Sequence, residues 1–256
     1  LEIAGFSAEA LSLLFSAASI AGFIDTLAGG GGLITIPALI ASGIPPLAVL
    51  GTNKLQATMG TATATYMMLK NKKVAWDGVR RFMFSAFLGS MAGAVGIQFV
   101  NAESLALMIP GVLLLVAVYF LIMPRPRELE PKPLLSASMY QRLIVPTIGC
   151  YDGMFGPGTG SFFTLAGVSL RGHGLIDATV IAKTLNFSTN IASLIVFLCA
   201  GKVVWTAGVV MMSGQLVGAW AGAHCLFKIN PRYLRLTVVV VCLALLAKYG
   251  LTYGRS

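Results

Sequence analysis

Two glycine-rich stretches, DTLAGGGGLITIP at residues 25–37 and DGMFGPGTGSFF at 152–163, interrupt otherwise apolar sequence, and each opens on an aspartate. Consecutive glycines break an α-helix, at a cost of about 1 kcal/mol per Gly relative to Ala, and a proline costs about 3 kcal/mol. The peptide groups so released need partners, which inside a bilayer come from protein, from water in a cavity or from a ligand. A helix that restarts at Leu33 or Ser161 points its first N–H groups and the positive end of its dipole back at the break. That is a setting for an anion. The candidate binding set is therefore Gly29, Gly30, Gly31, Gly32 and Leu33 in the first break, with Gly156, Gly158, Thr159, Gly160 and Ser161 in the second.

Lys54 and Lys183 lie inside apolar segments, well away from their ends. An ammonium there costs on the order of 3 kcal/mol on insertion scales, so each lysine is expected to face a cavity or a partner. At helical spacing Lys54 shares a face with Thr58, Thr61 and Thr65, and Lys183 with Asn186, Asn190 and Ser193. Two such stripes read as the walls of one hydrated path, with Lys54 or Lys183 supplying charge to a bound anion and Thr58, Thr61, Asn186 and Asn190 completing its shell. Asp25 and Asp152 stand four residues before the breaks. Three roles are open to them: pairing with the lysines, capping backbone N–H groups, or taking up a proton or cation that drives transport.

Other reactive side chains carry weaker signals. Ser161 with the distant His224 resembles the Ser–His pairing of an intramembrane serine peptidase, the alternative to transport; the repeat described below gives Ser161 no nucleophilic twin. His224 otherwise reads as an interhelical hydrogen-bonder, and His173, beside Arg171, as a solvated loop residue. Cys150, Cys199, Cys225 and Cys242 show no CxxC spacing and read as apolar filler. No metal site or cofactor is expected.

The elements that position these residues are transmembrane helices. The 256 residues are 57% hydrophobic and 11% charged, with a mean hydropathy of +0.84, where a soluble domain carries about 25% charge. A helix needs about 20 apolar residues to cross a ~30 Å hydrocarbon layer. Spans are predicted near 8–28, 46–69, 79–100, 103–123, 140–156, 175–200, 204–227 and 232–250. The shorter apolar pieces 33–42 and 161–170 suit re-entrant arms. The net charge of +9 points to no nucleic acid, because the basic residues cluster between apolar segments: Lys70, Lys72, Lys73, Arg80 and Arg81; Arg125, Arg127, Lys132 and Arg142; Lys228, Arg232 and Arg235. That is the positive-inside pattern of cytoplasmic loops. Trp76 and Trp205 read as interface anchors. The first segment is too long, and its flank (Glu2, Glu9) too acidic, for a cleaved signal peptide.

The chain also repeats itself. A shift of 129 residues places Lys54 on Lys183, Lys73 on Lys202, Trp76 on Trp205, and Gly89 and Gly93 on Gly218 and Gly222; a shift of 127 places Asp25 on Asp152 and Gly29 on Gly156. The organisation expected is a first transmembrane repeat over 1–123, a cytoplasmic linker over 124–138 containing PRPRELEPKP, and a second repeat over 139–256. The fold class is thus all-α: a polytopic helical bundle of two tandem repeats, each with a glycine-rich broken or re-entrant helix. Charge distribution alone does not decide between inverted and parallel repeats, while the short arms favour inversion. Repeats of this kind place a substrate site where the halves meet near the midplane.

GFIDTLAGGGGLITIPAL followed by LGTNKLQ, and DGMFGPGTGSFF followed by AKTLNFSTN, resemble the sulfite exporter TauE/SafE family, over essentially the whole chain. The resemblance implies a multi-pass transporter of the bacterial inner membrane, with sulfite, organosulfonates and related anions among the family's substrates. It leaves the particular anion, the direction of transport, the coupling ion and the oligomeric state open.

Overall fold

The computed structural model describes residues 2–3, 5–70, 76–122, 133–225, 236 and 239–247, without the side chains of residues 2, 3, 76 and 77. Most of the basic residues between segments, the Trp76 ring, most of the linker and much of the 232–250 segment lie outside the described residues. A short hairpin, β1 (Glu2–Ile3) and β2 (Phe6–Ser7), precedes α1 (Ala8–Ala28), α2 (Gly32–Ala41), α3 (Pro46–Lys70), α4 (Trp76–Ile97) and α5 (Ala102–Ile122). After the linker come α6 (Ala137–Met139), a π-helical turn (Tyr140–Ile144), α7 (Val145–Met154), α8 (Thr159–Arg171), α9 (Leu175–Cys199) and α10 (Trp205–Cys225). Residues 239–247 are helical as well.

Local chemistry accounts for the ends of these helices. Ser7 caps α1 by accepting the Ala10 N–H at 3.1 Å, which satisfies one of the first-turn donors. The predicted 140–156 span is a composite: its π turn ends two residues before Pro146, whose missing N–H spoils the regular ladder there. Gly158 and Gly172 bracket α8 with left-handed backbone. Helices α1, α5 and α9 are long and apolar enough to cross a membrane by composition alone, with mean hydropathies of 1.7, 2.7 and 1.4. α3, α4 and α10 are of similar length but diluted: α3 by Lys54 and its threonines, α4 by Asp77, Arg80 and Arg81, and α10 by glycine and Gln215.

Burial is reversed relative to a soluble protein. Phe99, Leu107, Leu115 and Ile122 are among the most exposed side chains, whereas Lys54, Lys183, Asp152, Asn53, Gln56 and Asn190 are buried. An apolar exterior around a polar interior is the surface of an all-α polytopic membrane protein.

Helix direction follows from which residues touch. Along α1 and α10, Gly214 lies against the Phe15 carbonyl, Gly218 against that of Ser19 and Gly222 against that of Phe23, so the two run parallel. The absence of Cβ atoms allows these backbones to approach so closely. Along α4 and α7, Gly89 meets Pro146 and Gly93 meets Cys150, again parallel. Helices α3 and α9 run the opposite way: Gly51 lies by Phe197, Lys54 by Asn190, and Thr65 donates to the Lys183 carbonyl. Each half thus lends its broken helix to the other, α1 packing on α10 and α7 on α4. The ends of α3 and α10 and the start of α9 fall on one side, and the 199–204 turn sits over the start of α3, where the Val204 N–H bonds to Thr52.

Candidate functional site

The two breaks meet. Gly29, at φ +72°, brings its Cα against the start of α8, where a Cβ would stand 2.8 Å from the Ser161 nitrogen. The Ser161 hydroxyl donates to the Ala28 carbonyl, and Gly32 abuts Pro157. From one side Phe120 and Val116 of α5 press on Gly30 and Gly158. Tyr119, Phe162 and Tyr151 extend that cover through edge-on ring contacts, and the Tyr151 hydroxyl donates to the Pro157 carbonyl at 2.7 Å.

Each aspartate pairs with the lysine of the other half. Lys183 Nζ lies 2.9 Å from Asp25 Oδ2 and also donates to the Asp25 carbonyl. Lys54 Nζ lies 3.0 Å from Asp152 Oδ2. That second contact is off the hydrogen-bond direction, since Oδ2 makes no hydrogen bond, so it holds by charge. Gly156, at φ +96°, leaves the space for this pair: a Cβ there would come within 2.8 Å of Lys54 Nζ. Asp25 takes two of the roles that spacing left open, because its Oδ1 also accepts the Gly31 N–H at 3.1 Å.

Many backbone donors of the breaks are already engaged. The Gly29 N–H bonds to Asp25 O, Leu33 to Gly30 O, Thr159 to Gly156 O and Ser161 to Gly158 O. Among the described residues the N–H groups of Gly32 and Gly160, each in the first turn of its helix, have no acceptor. The threonine stripe is turned inward on itself: Thr58 donates to Lys54 O and Thr61 to Ala57 O.

The asparagines behave differently. Lys54 can only donate, so Asn190 presents Oδ1 to it, at 3.4 Å. The Asn190 Nδ2 must then point away, and it donates to Asn186 O and to Asn186 Oδ1 at 3.1 Å. With its oxygen taken, Asn186 shows Nδ2 to the space beside Gly160, next to Lys183 Nζ. The Lys183 ammonium and the Asn186 amide NH2 thus stand together against the first turn of α8, and Asp25 accepts from the ammonium.

Sequence reasoning missed a polar group around α3. The Thr35 hydroxyl and Gln56 Nε2 both donate to Asn53 Oδ1, at 2.6 and 2.8 Å, while Gln56 Oε1 and Gln215 Oε1 are buried without a partner. Asn53 and Gln56 flank Lys54 in the LGTNKLQ motif, and Gln215 is an isolated amide in a Gly/Ala-rich helix; those were the available signals. His224 corrects the interhelical expectation: it is exposed, and its Nδ1 bonds to Trp220 O one turn back in its own helix. Among the described residues it makes no hydrogen bond to Ser161. Cys242 is buried and Cys199 exposed, so apolar filling describes only part of the cysteine set. His173 is half-buried at the α8–α9 turn; burial, then the nearby Arg171, lowers its pKa, against a smaller opposite effect of Asp177.

The chain matches the family model described as Sulfite exporter TauE/SafE over residues 14–249. It is 40% identical over 238 residues to the probable membrane transporter protein YfcA of Escherichia coli K12, covering 93% of this chain and 88% of that one. To a probable membrane transporter protein of Haemophilus influenzae it is 40% identical over 240 residues, 94% of each chain. With the probable membrane transporter protein ORF9 of a Sinorhizobium species it shares 40% identity over 235 residues, 92% of this chain and 90% of that one. No solved structure matches it. An apolar shell around buried charge, two broken helices meeting at its centre, and these matches along nearly the whole chain lead to one assignment: the chain belongs to the sulfite exporter TauE/SafE family of membrane transporters.

Proposed function

We propose that this transporter carries a small anion, such as sulfite, an organosulfonate or a related sulfur-containing or carboxylate anion, across the bacterial inner membrane. The anion binds between the two glycine breaks, beside Lys183. The observation that carries this reading is the convergence of donors there: Lys183 Nζ lies by Gly160, whose N–H is free, and by Asn186 Nδ2. Such a set suits the several oxygens of a tetrahedral or pyramidal oxyanion, and the Asp25 carboxylate occupies the position that a substrate oxygen would take. The Lys54–Asp152 pair acts indirectly, by fixing Asn190 and through it Asn186.

The antiparallel run of α3 and α9 and the crosswise pairing of α1 with α10 and α7 with α4 support an inverted repeat with its site at the interface of the halves. The side on which α3 and α10 end is then cytoplasmic, and Lys202 is outside. The test is binding of sulfite, sulfate, methanesulfonate and acetate to the purified protein, compared across wild type, Lys183→Gln, Asn186→Leu and Lys54→Gln. The best anion should lose affinity most in Lys183→Gln, more than tenfold. Equal affinity in wild type and Lys183→Gln would refute the site.

A further inference from the structure

Asp25 and Asp152 hold corresponding places, four residues before a break, but their neighbours differ in residue type. Side-chain exposure is 19% for Asp25 and 2% for Asp152, so water reaches only the first. One turn before Asp25, over Gly22, stands an acceptor with nothing to accept. Gln215 Oε1 is buried and unbonded, and it fills the notch over Gly22, where a Cβ would fall on that oxygen. Gly22 lies one turn before Asp25 on the same face of α1. Gly60 of α3 closes the other side, a Cβ there standing 3.2 Å from Gln215 Cδ. The counterpart of Gln215 in the first half is Ala86, packed on Gly149, so among the described residues Asp152 has no such acceptor. A buried amide oxygen without a donor is costly, which points to a state of the protein in which a donor arrives.

Resting on the anion reading above, we infer that Asp25 is the coupling carboxylate of this transporter. It takes up a proton from water, turns its new O–H toward Gln215 Oε1, and releases Lys183 to the anion. Charge balances: the ammonium and carboxylate give zero before, and the ammonium, neutral acid and monoanion give zero after. One proton therefore accompanies each monovalent anion. The charged and titratable groups on the elements around Asp25 are few. α9 contributes Lys183, with Asp177 in its first turn and Cys199 at its end; α3 contributes Lys54, held by Asp152 of α7, with Tyr66 and Lys70 exposed toward its end. α10 carries His224, bonded to Trp220 O, and Cys225; α8 carries Arg171 at its far end, donating to Leu135 O; α2 carries none. Glu9 lies at the opposite end of α1.

The experiment uses purified full-length protein and methanesulfonate, which does not itself titrate near neutral pH. Proton uptake on anion binding is read in weakly buffered solution, together with the infrared carbonyl band of a protonated carboxylic acid on acidification without anion. Wild type should take up one proton per anion, with affinity falling about tenfold per pH unit on the alkaline side. Asp25→Asn should bind with no proton uptake and no pH dependence, and should lose the acid band. Glu9→Gln, at the opposite end of α1, should retain both. Gln215→Leu should bind more weakly at neutral pH and regain wild-type affinity in more acidic solution, a recovery that a packing defect would not give. Anion binding without proton uptake in wild type, or an acid band that survives Asp25→Asn, would overturn the inference. If methanesulfonate and the other anions fail to bind but the Asp25-dependent band appears, the proton site stands and the anion reading falls.

Discussion

Neutralising Asp152 should cost this protein more than any other single change at the centre. Lys54 and Asp152 are 1% and 2% exposed and 3.0 Å apart. At that distance, with an effective dielectric constant of about 20, their attraction is about 5–6 kcal/mol. Asp152→Asn keeps the shape and removes that attraction, leaving the ammonium with Asn190 Oδ1 at 3.4 Å as its remaining partner. Removal of one partner from a buried pair costs about 3–5 kcal/mol. At about 2–4 °C per kcal/mol for a chain of this size, the thermal midpoint should fall by about 6–20 °C. Thermal unfolding of purified protein in one detergent, followed by tryptophan fluorescence, measures it. The control is Lys54→Met with Asp152→Leu, which removes both charges and should recover at least half of the loss, since apolar replacement of a buried pair is commonly neutral. A loss of under about 1 kcal/mol in Asp152→Asn, or a double variant no better than the single, would show that the pair is not the buried lock described here.

Further outcomes follow from the same geometry. Gly156→Ala places a Cβ 2.8 Å from Lys54 Nζ at φ +96°; the backbone alone should cost about 1–2 kcal/mol, and anion binding should weaken with it because Lys54 orients the amides. Ser161→Ala removes only the bond to Ala28 O, about 1 kcal/mol, so transport into proteoliposomes should persist; a peptidase activity abolished by this change would favour the enzyme alternative. Single cysteines at 72 and 230, on a cysteine-free background, should label from the cytoplasmic side and one at 202 from outside; labelling of 72 and 230 from opposite sides would refute the inverted arrangement. The His173 ring is held below its ordinary pKa by burial and Arg171. It therefore favours the folded state while neutral, and that contribution is lost as pH falls from the unfolded-state value through the lowered folded-state one; Arg171→Gln should move its titration, read by NMR, upward.

The sequence made the broken helices and the two intramembrane lysines legible because both violate a cost: glycine runs break helices, and lone charges oppose burial. Which aspartate answers which lysine was not legible. Asp25 pairs with Lys183 and Asp152 with Lys54 because α3 and α9 run antiparallel through the centre, a relation that no spacing along one half encodes. The face carrying Thr58 and Thr61 was readable from periodicity, but not that their hydroxyls bond back to their own helix. Asn186 and Asn190 had a readable position and an unreadable orientation, which Lys54 sets across the interface. Gln215 passed unnoticed because a single amide among small residues has no pattern; its meaning comes from the missing Cβ of Gly22 on another helix.

The crosswise ion pairs also impose an order on synthesis. When the first half has left the ribosome and entered the bilayer, Lys54 and Asp25 are both committed to the membrane, while Lys183 and Asp152 are still to be made. Lys54 must wait for nearly a hundred further residues before its counter-ion exists, and Asp25 for longer. Until then the nascent half keeps its charges wet or neutral and remains loosely assembled. A fragment ending at the linker is consequently an orphan that membrane quality control should remove, whereas the two fragments made together in one cell should rescue each other.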